Sequence, residues 1–334
     1  MTHRIFTMVG LLALAALLVS GTGCSGGNGG PIIMRFSHEL SGTTPKGMWA
    51  AEFASLVEEY TQGEAIVEVY PSGQLYQKES DALAAAAAGT IELAAPLSGM
   101  ASGLVPTMSV LDLPFLVQDH DTWYSLLDGP IGQDLLQAGE EKGIRGLAFI
   151  PNVAGGIFNS KRPLRYPDDF EDLKLRVPPM PVLEANMSAL GANVIAMPAA
   201  DVYMALKQGS LEGVVTSGPQ AVSGNYWEGV SYCTVSTMAI ASYPVFINLE
   251  FWNGLPDDVR EAVDRAALEA TTHLRSALGE IEAEAWQTLE DNGVEIYYQQ
   301  PEEVEVWREA TMAVYDQFQT EEIEDLVERI LELG

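Results

Sequence analysis

The residues of this chain best suited to chemistry lie in one short run, Asp172-Leu173-Lys174-Leu175-Arg176-Val177-Pro178-Pro179. A guanidinium emerges there at the end of an apolar strand, and two prolines stop the strand's hydrogen-bond ladder. The ends of strands are where open α/β sheets hold their ligands. An arginine in that position can grip a carboxylate through two parallel charge-assisted hydrogen bonds, each contributing about 1.5 to 3 kcal/mol. The same spacing also suits a structural salt bridge, because Asp and Glu number 47 against 17 Lys and Arg. From spacing alone both readings stand.

Other chemistry is sparse. The sequence has no glycine-rich signature for nucleotide phosphates, no Gly-x-Ser-x-Gly elbow, and no Cys or His pair with metal-ligand spacing. Its four histidines, His3, His38, His120 and His273, are scattered, so a histidine-based catalytic cluster would need His38 or His120 with distant partners. A protein that binds rather than transforms is expected, with no cofactor and no metal. The net charge of −30 opposes association with nucleic acid or with anionic lipid. Much of it sits near the C-terminus, where Glu321, Glu322, Glu324, Asp325 and Glu328 read as a solvated face. Any anionic ligand must be captured against this field, which makes a local cation in the pocket necessary.

The N-terminal segment carries His3 and Arg4, an apolar run from Ile5 to Ser20, and the small residues Gly21, Thr22 and Gly23 before Cys24. That is the pattern of a secretory signal, with an apolar stretch of about 16 residues where a membrane span needs about 20. The small residues before Cys24 resemble the lipobox of bacterial lipoproteins, with Gly21 where a Leu is usual, so lipidation at Cys24 is expected, with cleavage to a soluble form as the alternative. Residues 1–23 are thus assigned as signal peptide and 24–30, rich in Gly and Ser, as a flexible tether. The expected place of the protein is the periplasm or the outer face of the cytoplasmic membrane. Cys233 then has no disulfide partner and reads as a small buried hydrophobe.

From residue 31 onward strands and helices alternate. Ile32 to Ser37 reads as a strand, Lys46 to Tyr60 as a helix, Glu64 to Tyr70 as a strand ending at Pro71-Ser72-Gly73, the Ala-rich Glu79 to Ala88 as a helix, and Ile91 to Ala95 as a strand. The pattern restarts with Gly146 to Pro151, Leu173 to Val177, Asn193 to Pro198 and a helix over Ala200 to Gln208. Such alternation predicts α/β units with mostly parallel sheets. Pro256 to Asn292 predicts a single helix of about 50 Å, with Gly279 its one interior breaker and length enough to brace two lobes.

Seven stretches resemble, in order, the substrate-binding subunits of the tripartite ATP-independent periplasmic (TRAP) transporters, the C4-dicarboxylate-binding-protein-like family. They are Phe36-Ser37-His38-Glu39-Leu40 with Pro45-Lys46-Gly47, Tyr70-Pro71-Ser72-Gly73-Gln74-Leu75, Leu111-Asp112-Leu113-Pro114-Phe115-Leu116, Asn159-Ser160-Lys161-Arg162-Pro163, Leu173-Lys174-Leu175-Arg176-Val177, Met197-Pro198 with Asp201-Val202-Tyr203, and Phe251-Trp252-Asn253-Gly254-Leu255-Pro256. The resemblance spans about Ile33 to Gln317. It implies a two-lobed periplasmic-binding-protein-like fold with a long helix across both lobes, lobe I being 31–153 with 242–281 and lobe II 154–241 with 282–334. It also implies that Arg176 clamps a substrate carboxylate as the lobes close, and that a small and a large integral membrane subunit are the partners.

Departures from the family pattern bear on the ligand. Members that bind dicarboxylates or sialic acid carry a second arginine near the positions of Gly155 and Gly156, where this chain has none. Val215 and Thr216 stand where many members have Glu and Asn, and Leu97 falls at a position that is polar elsewhere in the family. The expectation is therefore a small monocarboxylate with an apolar or aromatic body. Its expected pocket is Arg176 with Glu39, Thr43, Leu97, Phe158, Met180, Thr216 and Tyr243. A dicarboxylate-binding subunit, a ligand-presenting partner of a sensor kinase, a binding protein for an ATP-driven importer and an enzyme are the competing readings.

Overall fold

The computed structural model describes residues 30–153, 155–238 and 240–333. The expected signal peptide and Cys24 lie outside the described residues, as does nearly all of the tether. The strands are β1 (Ile32–Ser37), β2 (Ala65–Tyr70), β3 (Leu93–Ala94), β4 (Ile144–Pro151), β5 (Gly155–Asn159), β6 (Lys174–Val177), β7 (Asn193–Ala196), β8 (Gly213–Ser217), β9 (Tyr232–Val235), β10 (Ser242–Asn248) and β11 (Glu295–Tyr298). The first eight helices are α1 (Pro45–Tyr60), α2 (Glu79–Ala87), α3 (Ser98–Ala101), α4 (His120–Asp128), α5 (Pro130–Gln137), α6 (Pro181–Ala189), α7 (Ala199–Lys207) and α8 (Gly218–Ser223). They are followed by α9 (Leu249–Gly254), α10 (Asp257–Asp291), α11 (Pro301–Thr311), α12 (Ala313–Phe318) and α13 (Glu321–Leu331).

Two sheets form, one with the order β2-β1-β3-β10-β4 and one with the order β11-β9-β5-β8-β6-β7. Strands separated by a helix in sequence pair in parallel, as β1 does with β2 and β6 with β7, because a crossover returns the chain to the same edge. The sheets are nevertheless mixed rather than mostly parallel. β10 runs antiparallel to both β3 and β4, and β5 runs antiparallel to both β8 and β9. The reason is connectivity: β4 in the first sheet is followed in sequence directly by β5 in the second, and β9 in the second is followed directly by β10 in the first. A strand that enters from the other lobe arrives running against its new neighbours.

The long helix begins and ends within one residue of its predicted bounds. Pro256 precedes it with Asp257 and Asp258 in its first turn, where carboxylates favour the helix N-terminus, and Gly293 follows it at φ +87°. Its first two thirds bury Val259, Val263, Ala267, Leu274 and Leu278 in the core of the first sheet, against α1 residues Trp49 and Phe53. Its last turns bury Trp286 and Leu289 in a different core with Val202, Val214 and Cys233. One helix thus belongs to both hydrophobic cores. Cys233 is fully buried on β9, and burial pushes its thiol well up from the ordinary range, as suits a packing residue.

The chain's last helices are placed differently from the expected lobe II segment 282–334. Ile323, Leu326 and Ile330 of α13 pack with Leu111, Trp123 and Leu126, residues of the first half of the chain. The apolar stripe of α13 explains this: Ile323, Leu326 and Ile330 recur at helical spacing on a helix otherwise acidic, so only that face can be covered.

Trp286 is 8% exposed, and its ring lies 6.2 Å from that of Phe158, fixing α10 to β5. Trp286→Ala should lower stability by about 3 to 5 kcal/mol in denaturant unfolding. A loss below about 1 kcal/mol would show that α10 is not anchored to the second sheet by this ring.

Candidate functional site

A cavity of about 430 Å³ opens where the two sheets present the same kind of edge. Glu39, Leu97, Asn152 and Ser236 on its wall follow the C-terminal ends of β1, β3, β4 and β9, and Ser217 ends β8. Gly155 and Tyr243 belong to the first residues of the antiparallel strands β5 and β10, which reach the same edge from the opposite direction. The volume matches sites for small molecules.

Arg176 sits in the parallel ladder of β6 with its side chain on the cavity wall and is 4% exposed. Its Nε donates to the carbonyl of Met197 at 2.8 Å, and one terminal nitrogen approaches the carbonyl of Val215 at 3.5 Å. No carboxylate lies within 4.0 Å of this guanidinium among the described residues, in contrast to the ion pairs made by Arg35, Arg145, Arg275 and Arg329. Burial pulls its affinity for a proton down, while Glu39 and Glu79 act from further off to raise it. A guanidinium stays charged at any pH the fold survives. Two backbone carbonyls therefore hold a buried cation in place without neutralising it, which is the costly arrangement unless a counter-ion arrives.

The second charged group is built around Lys46, fully buried in the first turn of α1. Its Nζ donates to Glu39 at 2.9 Å and to Glu79 at 2.6 Å and lies 3.9 Å above the centre of the Tyr243 ring. The two carboxyl groups divide the work. The ammonium of Lys46 holds Glu39 below the ordinary carboxylate range against the pull of burial, whereas burial and the neighbouring Glu39 charge push Glu79 up to about 8. With Glu79 protonated the cluster is neutral. Lys46 is thus consumed internally, and Arg176 is the one buried cation on the cavity wall without a carboxylate partner among the described residues. A further cation, Lys78, lines the rim and is exposed.

Six of the eight residues expected from the sequence line this cavity: Arg176, Glu39, Leu97, Met180, Thr216 and Tyr243. Two do not. Thr43 is exposed on the turn before α1, its hydroxyl 3.0 Å from that of Ser41, so it serves the turn. Phe158 is fully buried with Trp286 and Cys233, because alternation along β5 turns it to the core face opposite Ile157, which does line the cavity. Asp112, Glu79, Asn152, Gln220 and Ser236 are wall residues that the sequence reasoning missed. Asp112 carried a signal, a lone acid inside the apolar run from Val110 to Phe115. The two glycines at which the resemblance places a second arginine in other members differ: a Cβ on Gly155 would meet open space, but one on Gly156 would lie 2.7 Å from the Cys233 sulfur. His38 is buried with both ring nitrogens unpartnered, and burial lowers it to about 4. It is a neutral packing residue outside this cavity.

Two α/β lobes joined by crossing strands, with a cavity at their facing strand edges, have the build of a solute-binding protein. The chain matches the model of the bacterial extracellular solute-binding proteins, family 7, over residues 36–322, and belongs to that family, the solute-binding subunits of TRAP transporters. It is similar to a C4-dicarboxylate-binding periplasmic protein of Rhodobacter capsulatus, 37% identical over 289 residues, with 86% of each chain covered. Among solved structures it is similar to a TRAP periplasmic solute-binding protein from Sulfurospirillum deleyianum with bound succinate, 30% identical, TM-score 0.85, covering 91% of this chain and 100% of that one. A TRAP solute-binding protein from Chromohalobacter salexigens with bound D-glucuronate is 27% identical, TM-score 0.86, covering 90% of this chain and 100% of that one. The family is one of binding proteins and not of enzymes.

The raised Glu79 carries a stability consequence whose sign is fixed. A carboxyl with a folded pKa of about 8 against an ordinary 4.5 binds more protons folded than unfolded between those values, so its contribution is complete below 4.5 and is lost as pH rises through 8. Thermal unfolding of wild type and Glu79→Gln should show the wild type losing stability relative to the variant between pH 6 and 9, values chosen to bracket the upper limb. Parallel curves would mean that Glu79 is ionised throughout.

Proposed function

We propose that this protein captures a small organic acid by pairing the ligand's carboxylate with Arg176 and closing its lobes over it, for delivery to the small and large membrane subunits of a TRAP transporter. The observation that carries the reading is the buried guanidinium held by two carbonyls and facing the cavity with no carboxylate partner among the described residues. A ligand carboxylate supplies the missing charge and accepts from the remaining N–H groups. Closure excludes water and strengthens that pairing, and the extra contacts made only when closed supply the differential affinity that drives the motion. The two passages of the chain between sheets, which include Asn152, Val153, Ser236 and Ala241, are the segments that would bend.

The walls favour a monocarboxylate with an apolar body. Leu97, Met100, Ile157, Met180, Leu183 and Met238 line the cavity, and Lys46 is already paired. A dicarboxylate is the second reading. It is supported by the Rhodobacter capsulatus relative and the succinate-bound neighbour, with Lys78 at the rim as the available partner for a second carboxylate.

Arg176→Met should weaken carboxylate binding roughly 100-fold or more in calorimetry, the loss of two charge-assisted bonds. It should leave the ligand-free melting temperature unchanged or raised, because an uncompensated buried charge is removed. A destabilised variant that binds normally would make Arg176 a structural residue. In the same calorimeter, apolar or aryl monocarboxylates should bind more tightly than succinate. The reverse order would establish the dicarboxylate reading.

A further inference from the structure

The cluster of Glu39, Lys46 and Glu79 holds more acid than base, and it does so inside the protein. The side chains of Lys46, Glu79 and Glu39 are 0%, 4% and 11% exposed. The ammonium is within hydrogen-bond reach of both oxygens of Glu39, at 2.9 and 3.1 Å, and of one oxygen of Glu79, at 2.6 Å. Two carboxylates and one ammonium leave one negative charge uncompensated and largely shut off from water, which is a costly state. A single proton removes it, and the two carboxyls lie within hydrogen-bond reach of each other, where that proton is held.

Glu39 and Glu79 line the same cavity as Arg176, so the wall has two charge states. With the proton in place the cluster is neutral, the buried guanidinium stands alone, and the cavity is positive. With the proton gone the cluster is negative and offsets Arg176, and an anion entering the cavity meets repulsion as well as attraction. We propose that this cluster is a proton site coupled to the anion site, so that capture of an organic anion is accompanied by uptake of a proton at Glu79. This rests on the Arg176 reading, because only an anion in this cavity favours the protonated cluster.

The other groups around Glu79 do not supply that proton. On its own helix Lys78 and Asp81 are exposed, and β3 and α3 bring no titratable side chain. His38 and Tyr76 border Glu79 without lining the cavity, and β10 brings Tyr243. Burial and the Lys46 charge lower His38 to about 4, and burial pushes the Tyr243 phenol well up. Asp112, across the cavity wall, is pushed up to about 7 by burial and ionises first, whereas burial and the Glu39 charge push Glu79 up to about 8. A bound anion raises the proton affinity of Glu79 further. By linkage the affinity for the anion is then full below pH 8 and falls as pH rises above it.

The test is calorimetry with the tightest binder among phenylacetate, pyruvate, lactate and succinate, all ionised above about pH 7. Near about pH 8.5, in buffers of different ionisation enthalpy, wild type should take up about half a proton per ligand bound, and its affinity should fall about tenfold between about pH 7 and 9.5. Glu79→Gln keeps the cluster neutral at every pH, so the uptake should vanish and the fall should shrink to about twofold or less. Asp112→Asn should retain both effects. Binding without proton uptake in wild type, or uptake that persists in Glu79→Gln, would overturn the assignment. The wild-type heats need no substitution, so they decide even if a variant fails to fold. Arg176→Met separates the two readings: binding that requires Arg176 but takes up no proton removes the proton site and leaves the clamp, whereas proton-linked binding undiminished in that variant removes the clamp and leaves the proton site. No binding of any of these acids would remove both.

Discussion

A guanidinium buried without a counter-charge governs the rest of this molecule. Transferring a cation from water into a protein costs several kcal/mol even after relaxation, and two backbone carbonyls recover only part of that. Arg176 is affordable because it stands on a strand whose neighbours are packed on both sides and cannot collapse onto it. Leu175 and Val177 alternate with it, fully buried on the other face, and Pro178 and Pro179 keep the chain from continuing the ladder and covering the site. The rigidity of the second sheet is thus the precondition for a charge held in waiting.

The surroundings keep every other charge from answering it. Glu39 and Glu79 lie on the same cavity wall and would be natural partners, yet Lys46 draws both to itself from the first turn of α1. A neutral three-membered cluster results, packed on Tyr243, and it lets a strongly acidic protein leave one cation on the cavity wall uncommitted. Elsewhere exposed carboxylates pair with half-buried arginines, as Asp128 does with Arg275 and Asp134 with Arg329. Those contacts are screened by solvent and contribute little to stability. Their place is at the surface, away from the cavity.

Two features make the two lobes act on one site. The chain crosses between sheets after β4 and after β9, so the cavity wall includes Asn152, Val153, Ser236 and Ala241, which belong to neither sheet. The helix α10 enters both cores, with Leu274 and Leu278 in one and Trp286 and Leu289 in the other, and Gly279, where an added Cβ would meet open space, lies between the two sets. One continuous helix is thus packed into both cores, with an exposed glycine between the two sets of buried residues. The helices α12 and α13 add further contact by covering the first half of the chain with their apolar stripe.

Much of this was legible from residue order. Alternating strand and helix patterns, the helix stops at Gly89, Gly209 and Gly293, and the unbroken run from Pro256 to Asn292 are local signals, and local sterics and capping decide them. The strand-end arginine and its proline stop were equally local, which is why Arg176 could be singled out at once. Direction and facing were not. The antiparallel β5 and β10 follow from where the chain crosses between lobes, and Phe158 turned inward because its register on β5 is set by pairing with β8 and β9. Lys46 and Glu79 are separated by 33 positions along the chain and meet only through packing. The raised proton affinity of Glu79 follows from burial and from the neighbouring Glu39 charge, which are properties of position in space. Sequence alone determined what kind of groups this protein owns and where each element begins and ends. Only the tertiary structure decided which of those charges neutralise one another and which is left unpaired on the cavity wall, because Coulomb interaction and desolvation depend on distance and exposure rather than on order.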